Sequence, residues 1–143
     1  RLIVLGYNLH GPHSGPGPRS TPDFIAGLGH RGRGDSAGAP AIALAVGGFL
    51  WPPGGRAQKI SWSAAFERAQ AAAPQERPSP ADPPSARLSD GSQLWYEDPE
   101  SLQAKWLAAR QAGFTALWLW HLGDNDERLY HWLGQLRPTP GSK

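Results

Sequence analysis

The sequence contains no cysteine, so it can form neither a disulfide framework nor a thiolate metal site, and its cellular compartment is left open. No apolar run approaches the roughly 20 residues that a transmembrane helix needs, and no signal-peptide pattern is present. The formal net charge is only +2 and no dense basic run occurs. We therefore predict a globular domain with neither a membrane nor a nucleic-acid partner.

Methionine is also absent, and the chain opens directly in strand-like sequence with Arg1-Leu2-Ile3-Val4-Leu5. From this opening we expect a piece of a longer polypeptide. The 143 residues suffice for one domain with a core, and the 18 Gly and 15 Pro predict long connections around it. Seven Trp is a high number for this length. Packing is the default role for aromatic side chains, and binding of sugars or bases is the alternative.

The segment from Gly113 to Asp126 shows the organisation of the chain most clearly. A glycine suited to ending a helix precedes a short apolar run, and a turn cluster that can cap another helix follows it. Helix, buried strand, loop and helix in this order are typical of a parallel sheet covered by helices. Alternation along the strand gives two faces, with Ala116, Trp118 and Trp120 on one and Leu117, Leu119 and His121 on the other.

Similar signals recur along the rest of the chain. Residues 2–9 and 41–49 are typical of buried strands, and Gly47-Gly48 marks a bend or close backbone approach in the second of them. Helices are predicted to begin near Thr21, Ser61, Asp98 and Asp126, and the second should run to about residue 73. Asp90-Gly91 predicts a tight hairpin turn. The glycine-rich segment 29–38 should be a flexible connection, and the proline-rich segment 74–84 should be extended and exposed. We predict an α/β fold of three strands, each followed by helical sequence, with a small β-hairpin insertion before the helix that covers the second strand.

Three segments of the chain form a series of motifs. The first is Leu5-Gly6-Tyr7-Asn8-Leu9-His10 with Pro16-Gly17-Pro18, the second is Trp95-Tyr96-Glu97-Asp98 with Ser101, Leu102 and Lys105, and the third is Gly113 to Asp126. In this order they resemble the sixth strand with its loop, the entry to the seventh helix and the eighth strand in the catalytic barrel of glycoside hydrolase family 18. That family contains chitinases, N-acetylglucosaminidases and inactive chitin-binding relatives. Ala41 to Trp51 matches the seventh strand less well.

A complete (β/α)₈ barrel takes about 250 residues, so the resemblance implies a partial TIM barrel, about its last three βα units with the hairpin insertion. Residues 1–137 would form this carboxyl-terminal part, including the proline-rich connection 74–84, and residues 138–143 would be a tail. The missing amino-terminal half of the barrel is then an expected partner.

The resemblance also implies a function, namely hydrolysis of β-linked N-acetylglucosamine polymers of the chitin or peptidoglycan type. The reaction would be substrate-assisted, would need no cofactor or metal, and would take place outside the cell or in the periplasm. The family's acid motif, Asp-Gly-x-x-Asp-x-Asp-x-Glu, is nowhere in this chain, so no catalytic acid is assigned and enzymatic activity is left open. The alternative is a non-catalytic carbohydrate-binding or cell-wall-associated module of the same fold. A small α/β domain with an unrelated ligand is a third hypothesis.

Three residues would contact the sugar if the resemblance holds. Tyr7 would hydrogen-bond the acetamido carbonyl, Asn8 would stand where aspartate is more common, and Trp120 would form the floor of the sugar site. Trp118 is expected in the core, and His121, on the opposite face of the strand, is expected to pack under a helix.

Other polar clusters have plainer explanations. Asp124-Asn125-Asp126-Glu127 has the wrong spacing for the acid motif, and capping of the last helix explains it. His10 and His13 share a loop, but no third ligand stands at metal-binding spacing beside them, so we predict solvated histidines and no metal site. Arg31 and Arg33 lie among glycines and are expected to be solvated as well.

Overall fold

A computed structural model describes residues 2–31, 40–73, 77–121 and 123–136. The strands are β1 (Ile3–Leu5), β2 (Ala41–Ala45), β3 (Gly48–Trp51), β4 (Gln58–Ile60), β5 (Ser85–Arg87), β6 (Gln93–Tyr96) and β7 (Ala116–Trp120). The helices are α1 (Pro22–Arg31), α2 (Trp62–Gln70), α3 (Pro99–Gln111) and α4 (Glu127–Gln135). Most of the predicted glycine-rich connection, the tail 138–143, the helix-ending Pro138 and the side chains of Arg31 and Arg33 lie outside the described residues.

The predicted parallel sheet is present, with strand order β1-β2-β7. Ile42 pairs with Val4 on one side and with Leu117 on the other, so side chains at one level of the sheet point to the same face. Helices α1, α3 and α4 cover this face. The buried cluster beneath them consists of Ile25, Ile42, Leu44, Val46, Leu102, Ala109, Phe114, Leu129 and Trp132. Leu117 and Leu119 pack against it, which confirms the predicted assignment of one strand face to the helices.

The opposite face of the parallel sheet is open. Trp118 and Trp120 are 54% and 56% exposed there, and the apolar side chains Ile3 and Leu5 of β1 are exposed as well. Between them, the central strand β2 presents only alanines on this face, at positions 41, 43 and 45. The expectation that Trp118 is a core residue is wrong for this chain, because no layer of the described residues covers the face on which alternation places it.

The insertion is larger than the predicted hairpin. The bend or close backbone approach predicted at Gly47-Gly48 is confirmed, because the chain changes direction at Gly47, whose φ of +73° favours glycine. The predicted single strand over 41–49 is wrong, because β2 ends at Ala45 and a second strand begins at Gly48. The following segment forms a four-stranded antiparallel sheet, in the order β4-β3-β6-β5, with α2 packed against it. The predicted turn at Asp90-Gly91 is confirmed between β5 and β6, where Gly91 has φ of +85°. The core of this unit consists of Leu50, Ala65, Ala86, Leu94 and Tyr96.

Several predicted boundaries are confirmed by capping contacts, and others shift. Asp98 caps α3 in a capping box with Ser101, and Ser61 accepts a hydrogen bond from the first turn of α2. Helix α2 ends at Gln70, earlier than predicted. Strand β1 is shorter than the predicted 2–9, although Gly6 continues its pairing by donating its N–H to the Ala43 carbonyl at 2.8 Å.

A buried ion pair joins the insertion to α3. Lys105 Nζ lies 2.5 Å from Glu97 Oε1, both side chains are almost completely buried, and the Glu97 N–H donates to the Gly47 carbonyl. Next to it, Arg77 forms an ion pair of 2.6 Å with Asp98. Arg77 belongs to the proline-rich segment that was predicted to be exposed. Within the described part, 77–84, that prediction holds for Pro78 and Pro80, which are exposed, and is wrong for Pro83, which is buried.

No helix in the described residues is both long and apolar enough to cross a membrane.

Candidate functional site

A cavity lies where the parallel sheet meets the insertion, at the carboxyl ends of β2 and β7. Its volume is about 200 Å³. Ligand pockets for small molecules typically measure about 300–1,000 Å³, so this cavity is small for a complete site. The polar and aromatic side chains that line it include Arg19, Lys59, Trp62, Trp120, His121 and Asp124.

Trp120 reaches this cavity because it is the last residue of β7. It pairs with Ala45, and its carbonyl accepts a hydrogen bond of 2.8 Å from the Val46 N–H. The ring is more than half exposed, so an indole face is available to a ligand. The prediction that Trp120 stands at the carboxyl end of a parallel strand is confirmed.

His121 does not pack under a helix as predicted. Its side chain is exposed and lines the cavity, with its ring edge-on to Trp120 at a centroid distance of 6.0 Å. The strand ends at Trp120, so the alternation that assigned His121 to the helix face no longer applies there.

Tyr7 and Asn8 follow β1 at the same edge of the sheet, but they do not line the cavity. Tyr7 is half-buried and lies under the guanidinium of Arg19, 5.3 Å from its ring centroid. Asn8 is exposed. The structure thus connects Tyr7 to the Trp120 cavity through Arg19 and does not bring Asn8 into it. The roles of Tyr7, Asn8 and Trp120 toward a sugar stay predictions.

Arg19 is the cavity residue that sequence reasoning missed. Its guanidinium lies between two aromatic faces, 5.3 Å from the centroid of Tyr7 and 4.8 Å from that of Phe49, and donates to the Val46 carbonyl at 3.3 Å. Burial lowers its pKa, an effect that the nearby Glu97 and Tyr7 oppose. Within the described residues, Arg19 forms no ion pair and its buried Nε has no hydrogen-bond partner. No local sequence pattern predicts that Arg19 lines this cavity, because its contacts Phe49 and Val46 lie far from it in the sequence.

The two aspartates of the acidic cluster after β7 have different roles. Asp126 caps α4, as predicted, by accepting from the Arg128 backbone N–H at 2.9 Å. Asp124 instead lines the cavity and accepts a hydrogen bond from the Ser63 hydroxyl of α2. Side-chain hydrogen bonds from Ser63 and Ser61 lower the pKa of Asp124. A general acid needs a raised pKa, so Asp124 is poorly suited to donating a proton near neutral pH.

The carboxylate of Glu97, near this site, already has an ion-pair partner and a hydrogen-bond donor. Glu97 is paired with Lys105 and accepts from the Ser101 hydroxyl at 2.8 Å, deep in the interior. Among the described residues, the cavity therefore offers an aromatic plane and several hydrogen-bond donors but no carboxyl group suited to acid catalysis.

The loop histidines differ from their predicted solvation in one respect. His13 is exposed, whereas His10 is half-buried, packs against Gly17 and has its Nδ1 atom 2.8 Å from the Pro18 carbonyl. Among the described residues no group of three His, Asp or Glu side chains could hold a metal ion.

Together, these observations describe a mixed α/β domain with a parallel sheet, helices on one face of that sheet, and an α+β insertion beside a cavity of about 200 Å³. Several solved structures share this arrangement. The spore cortex-lytic enzyme SleL from Bacillus cereus superposes with a TM-score of 0.77 at 19% identity, over 93% of this chain and 34% of SleL. A chitinase from Chromobacterium violaceum gives 0.71 at 18% identity, over 96% of this chain and 46% of its own.

A class V chitinase from Pseudomonas fluorescens gives a TM-score of 0.71 at 22% identity, over 92% of this chain and 46% of that protein. The resemblance to chitinase-like glycosidases is thus confirmed at the level of fold. This chain spans less than half the length of these relatives. No protein-family model and no curated protein matches the chain.

Proposed function

We propose that the chain is the carboxyl-terminal part of a (β/α)₈ glycosidase barrel, about its last three βα units, acting on β-linked N-acetylglucosamine polymers. One observation carries this proposal: the parallel sheet has helices on one face and exposed Ile3, Leu5, Trp118 and Trp120 on the other. In an open α/β sheet both faces are covered by helices, whereas in a barrel the second face is the filled interior.

The strand edges support the same reading. Within the described residues, β1 and β7 each pair only with β2, so each leaves one edge that a further parallel strand could occupy. Such edges are normally paired or covered in a folded protein. The remaining five strands of a barrel would pair with both edges and would cover the open face.

In this proposal the chain supplies substrate-binding groups and not the acid. Family 18 enzymes use the acetamido oxygen of the sugar as the nucleophile, so the protein must orient that group and protonate the leaving oxygen. Trp120 would provide the apolar floor, and Tyr7 would orient the acetamido arm. The proton donor would come from the rest of the barrel, because the cavity residue Asp124 has a lowered pKa.

A non-catalytic carbohydrate-binding role for the same fold is the second candidate. The residue that favours it is Asn8, which has no charge with which to tune a neighbouring acid in the place where the family more often has aspartate. Under this alternative the aromatic floor would still bind sugar, and only turnover would be missing.

The test compares two fluorogenic substrates on the complete protein, a chitobioside and the matching cellobioside. The cellobioside has hydroxyl groups where the chitobioside has acetamido groups, so it lacks the internal nucleophile. The proposal predicts hydrolysis of the chitobioside alone. Binding of both without turnover would favour the carbohydrate-binding module, and equal hydrolysis of both would contradict substrate assistance.

A further inference from the structure

The side chain of Arg19 joins three segments of the chain. Arg19 lies near the end of the loop that follows β1, and its carbonyl accepts a hydrogen bond of 3.0 Å from the Leu9 N–H at the start of that loop. Its guanidinium carbon lies 5.3 Å from the ring centroid of Tyr7 and 4.8 Å from that of Phe49. One guanidinium nitrogen donates to the Val46 carbonyl at 3.3 Å. The side chain thus connects the end of β1 with the end of β2 and with strand β3 of the insertion.

These contacts give the ring of Tyr7 a neighbour that is itself held in place. Tyr7 follows the end of β1, so the pairing of β1 with β2 does not hold its ring. Behind the guanidinium, Phe49 is 4% exposed, and its strand pairs with β4 on one side and with β6 on the other. A cation over an aromatic face is attracted by the ring quadrupole, more strongly where water is excluded. The position of the Tyr7 ring therefore depends on Arg19, and through Arg19 on the insertion.

A carboxylate at the base of the insertion supports the charge of Arg19. Burial lowers the pKa of Arg19, and electrostatic attraction to Glu97 opposes this shift. Glu97 is held in turn by its ion pair with Lys105, and its N–H donates to the Gly47 carbonyl at 3.0 Å, where the chain enters and leaves the insertion. The insertion thus contributes both a ring against the guanidinium and a negative charge near it.

We propose that Arg19 is a positioning residue, which holds the ring of Tyr7 so that the tyrosine hydroxyl meets the acetamido group of a bound sugar. Arg19 acts through Tyr7 and needs no contact with the ligand. Phe49 fixes the other side of the guanidinium, so the docking of β3 against the loop after β1 contributes to selectivity for the acetamido group. This inference rests on the proposed function, in which Tyr7 orients the acetamido arm.

The experiment measures how strongly the complete protein prefers chitobiose to cellobiose in calorimetric titrations. Sulfur-linked analogues are used because they resist hydrolysis, and the two differ only in bearing acetamido groups or hydroxyl groups. We expect the wild-type protein to bind the chitobiose analogue about tenfold more tightly. Arg19→Gln keeps an amide donor for the Val46 carbonyl but has no cation, and it should lower this preference about fivefold. A merely structural role would weaken the binding of both analogues alike and leave their ratio unchanged.

The decisive comparison combines Arg19→Gln with Tyr7→Phe. Tyr7→Phe removes only the hydroxyl and should by itself lower the preference for the acetamido ligand. In that background Arg19→Gln should change the preference by less than about twofold, because the group through which Arg19 acts is gone. The matched control is Arg56→Gln, which removes the same charge from the exposed loop between β3 and β4 and should leave the preference as it is in the wild type.

The outcomes separate this inference from the proposed function. A folded Arg19→Gln variant with the wild-type preference would overturn the inference while sugar binding stands. Equal losses in the presence and absence of the Tyr7 hydroxyl would overturn it as well, because Arg19 would then act independently of Tyr7. If Arg19→Gln does not fold, Arg19→Met, which keeps a longer apolar side chain, decides by the same comparison.

The wild-type titrations depend on no variant being folded. If the wild-type protein binds both analogues equally well, no acetamido selectivity exists for Arg19 to support, and the inference is wrong while sugar binding stands. If the wild-type protein binds neither analogue, the proposed function fails and the inference fails with it.

Discussion

Replacing Lys105 with methionine should destabilise the protein more than any surface substitution. Lys105 has no solvent-exposed side-chain area, and its ammonium group lies 2.5 Å from a Glu97 carboxylate that is 2% exposed. Methionine has a similar volume, so the main effect is loss of the charge partner. Glu97 would keep the Ser101 hydroxyl as a hydrogen-bond donor, at 2.8 Å, but no cation in direct contact.

Breaking a buried ion pair by removing one partner typically costs about 3–5 kcal/mol, because a charge is left buried and uncompensated. The lower end of that range applies here, since the Ser101 hydrogen bond remains and Arg19 is near enough to interact electrostatically with Glu97. A complete barrel of about 250 residues that unfolds cooperatively should lose about 6 °C in Tm for a loss of about 3 kcal/mol.

The assay is urea and thermal unfolding of the wild-type protein and three variants. Glu97→Gln combined with Lys105→Met should recover at least about half of the loss, because no charge then remains unpaired. The surface control is Glu100→Gln, which removes an exposed ion pair with Arg128 and should cost no more than about 1 kcal/mol. The reasoning is refuted if Lys105→Met costs no more than Glu100→Gln, or if the double variant is less stable than Lys105→Met alone.

Two further predictions concern the packing of α1 and the loop after β7. Gly29→Ala should destabilise the protein by about 1–3 kcal/mol in urea unfolding, because a Cβ atom there would lie 2.5 Å from the Cβ atom of the residue that caps α3. The control is Gly27→Ala in the same helix, where a Cβ atom would meet nothing within 4 Å, so this substitution should be neutral or stabilising. A similar loss of unfolding free energy in both variants would contradict the close contact at Gly29. Ser63→Ala should raise the pKa of Asp124 toward its ordinary 3.8, measured by NMR titration of the carboxyl carbons, since Ser63 is the main cause of its lowering. Because the pKa of Asp124 is lower in the folded than in the unfolded protein, its carboxylate stabilises the folded state above the unfolded-state pKa, and this stabilisation is lost as the pH falls through the folded-state pKa. The loss of stability in acid should therefore be smaller in Ser63→Ala. An unchanged pKa of Asp124 in this variant would contradict the assignment.

Hydrophobic periodicity and capping residues predicted the parallel layer well, because these signals are local. The apolar run that became β7, the cap at Asp98 and the helix-ending Gly113, with φ of +96°, all stand where the sequence indicates. The antiparallel sheet of the insertion was missed except for its hairpin. Strands β3 and β4 are only four and three residues long. The glycines at 47 and 48 predict a bend, but no local signal shows that a strand of a second sheet begins there.

The candidate site was predictable only in part, for a related reason. Trp120 could be placed because it ends a strand of recognisable pattern. Arg19 and Trp62 reach the same cavity through the docking of the insertion against the sheet, a contact between segments more than 40 residues apart that no local pattern encodes. Among the described residues, Arg19 Nε and Trp62 Nε1 lack hydrogen-bond partners, and this becomes visible only once burial and neighbours are known.

The central claim, that Trp120 is the floor of a sugar site, is tested most directly by two tryptophan variants of the complete protein. Trp118 is the control on the same face of β7, because it does not line the cavity. In the proposed barrel the missing strands cover its ring, so Trp118→Ala also lowers stability and its affinity is measured on protein that a melting curve shows to be folded. In calorimetric titrations with a neutral N-acetylglucosamine oligomer, Trp120→Ala should weaken binding about fivefold or more, since stacking on an indole contributes about 1 kcal/mol beyond buried area. Trp118→Ala should change the affinity less than about twofold. Unchanged affinity in a Trp120→Ala protein with a normal melting curve would contradict the account.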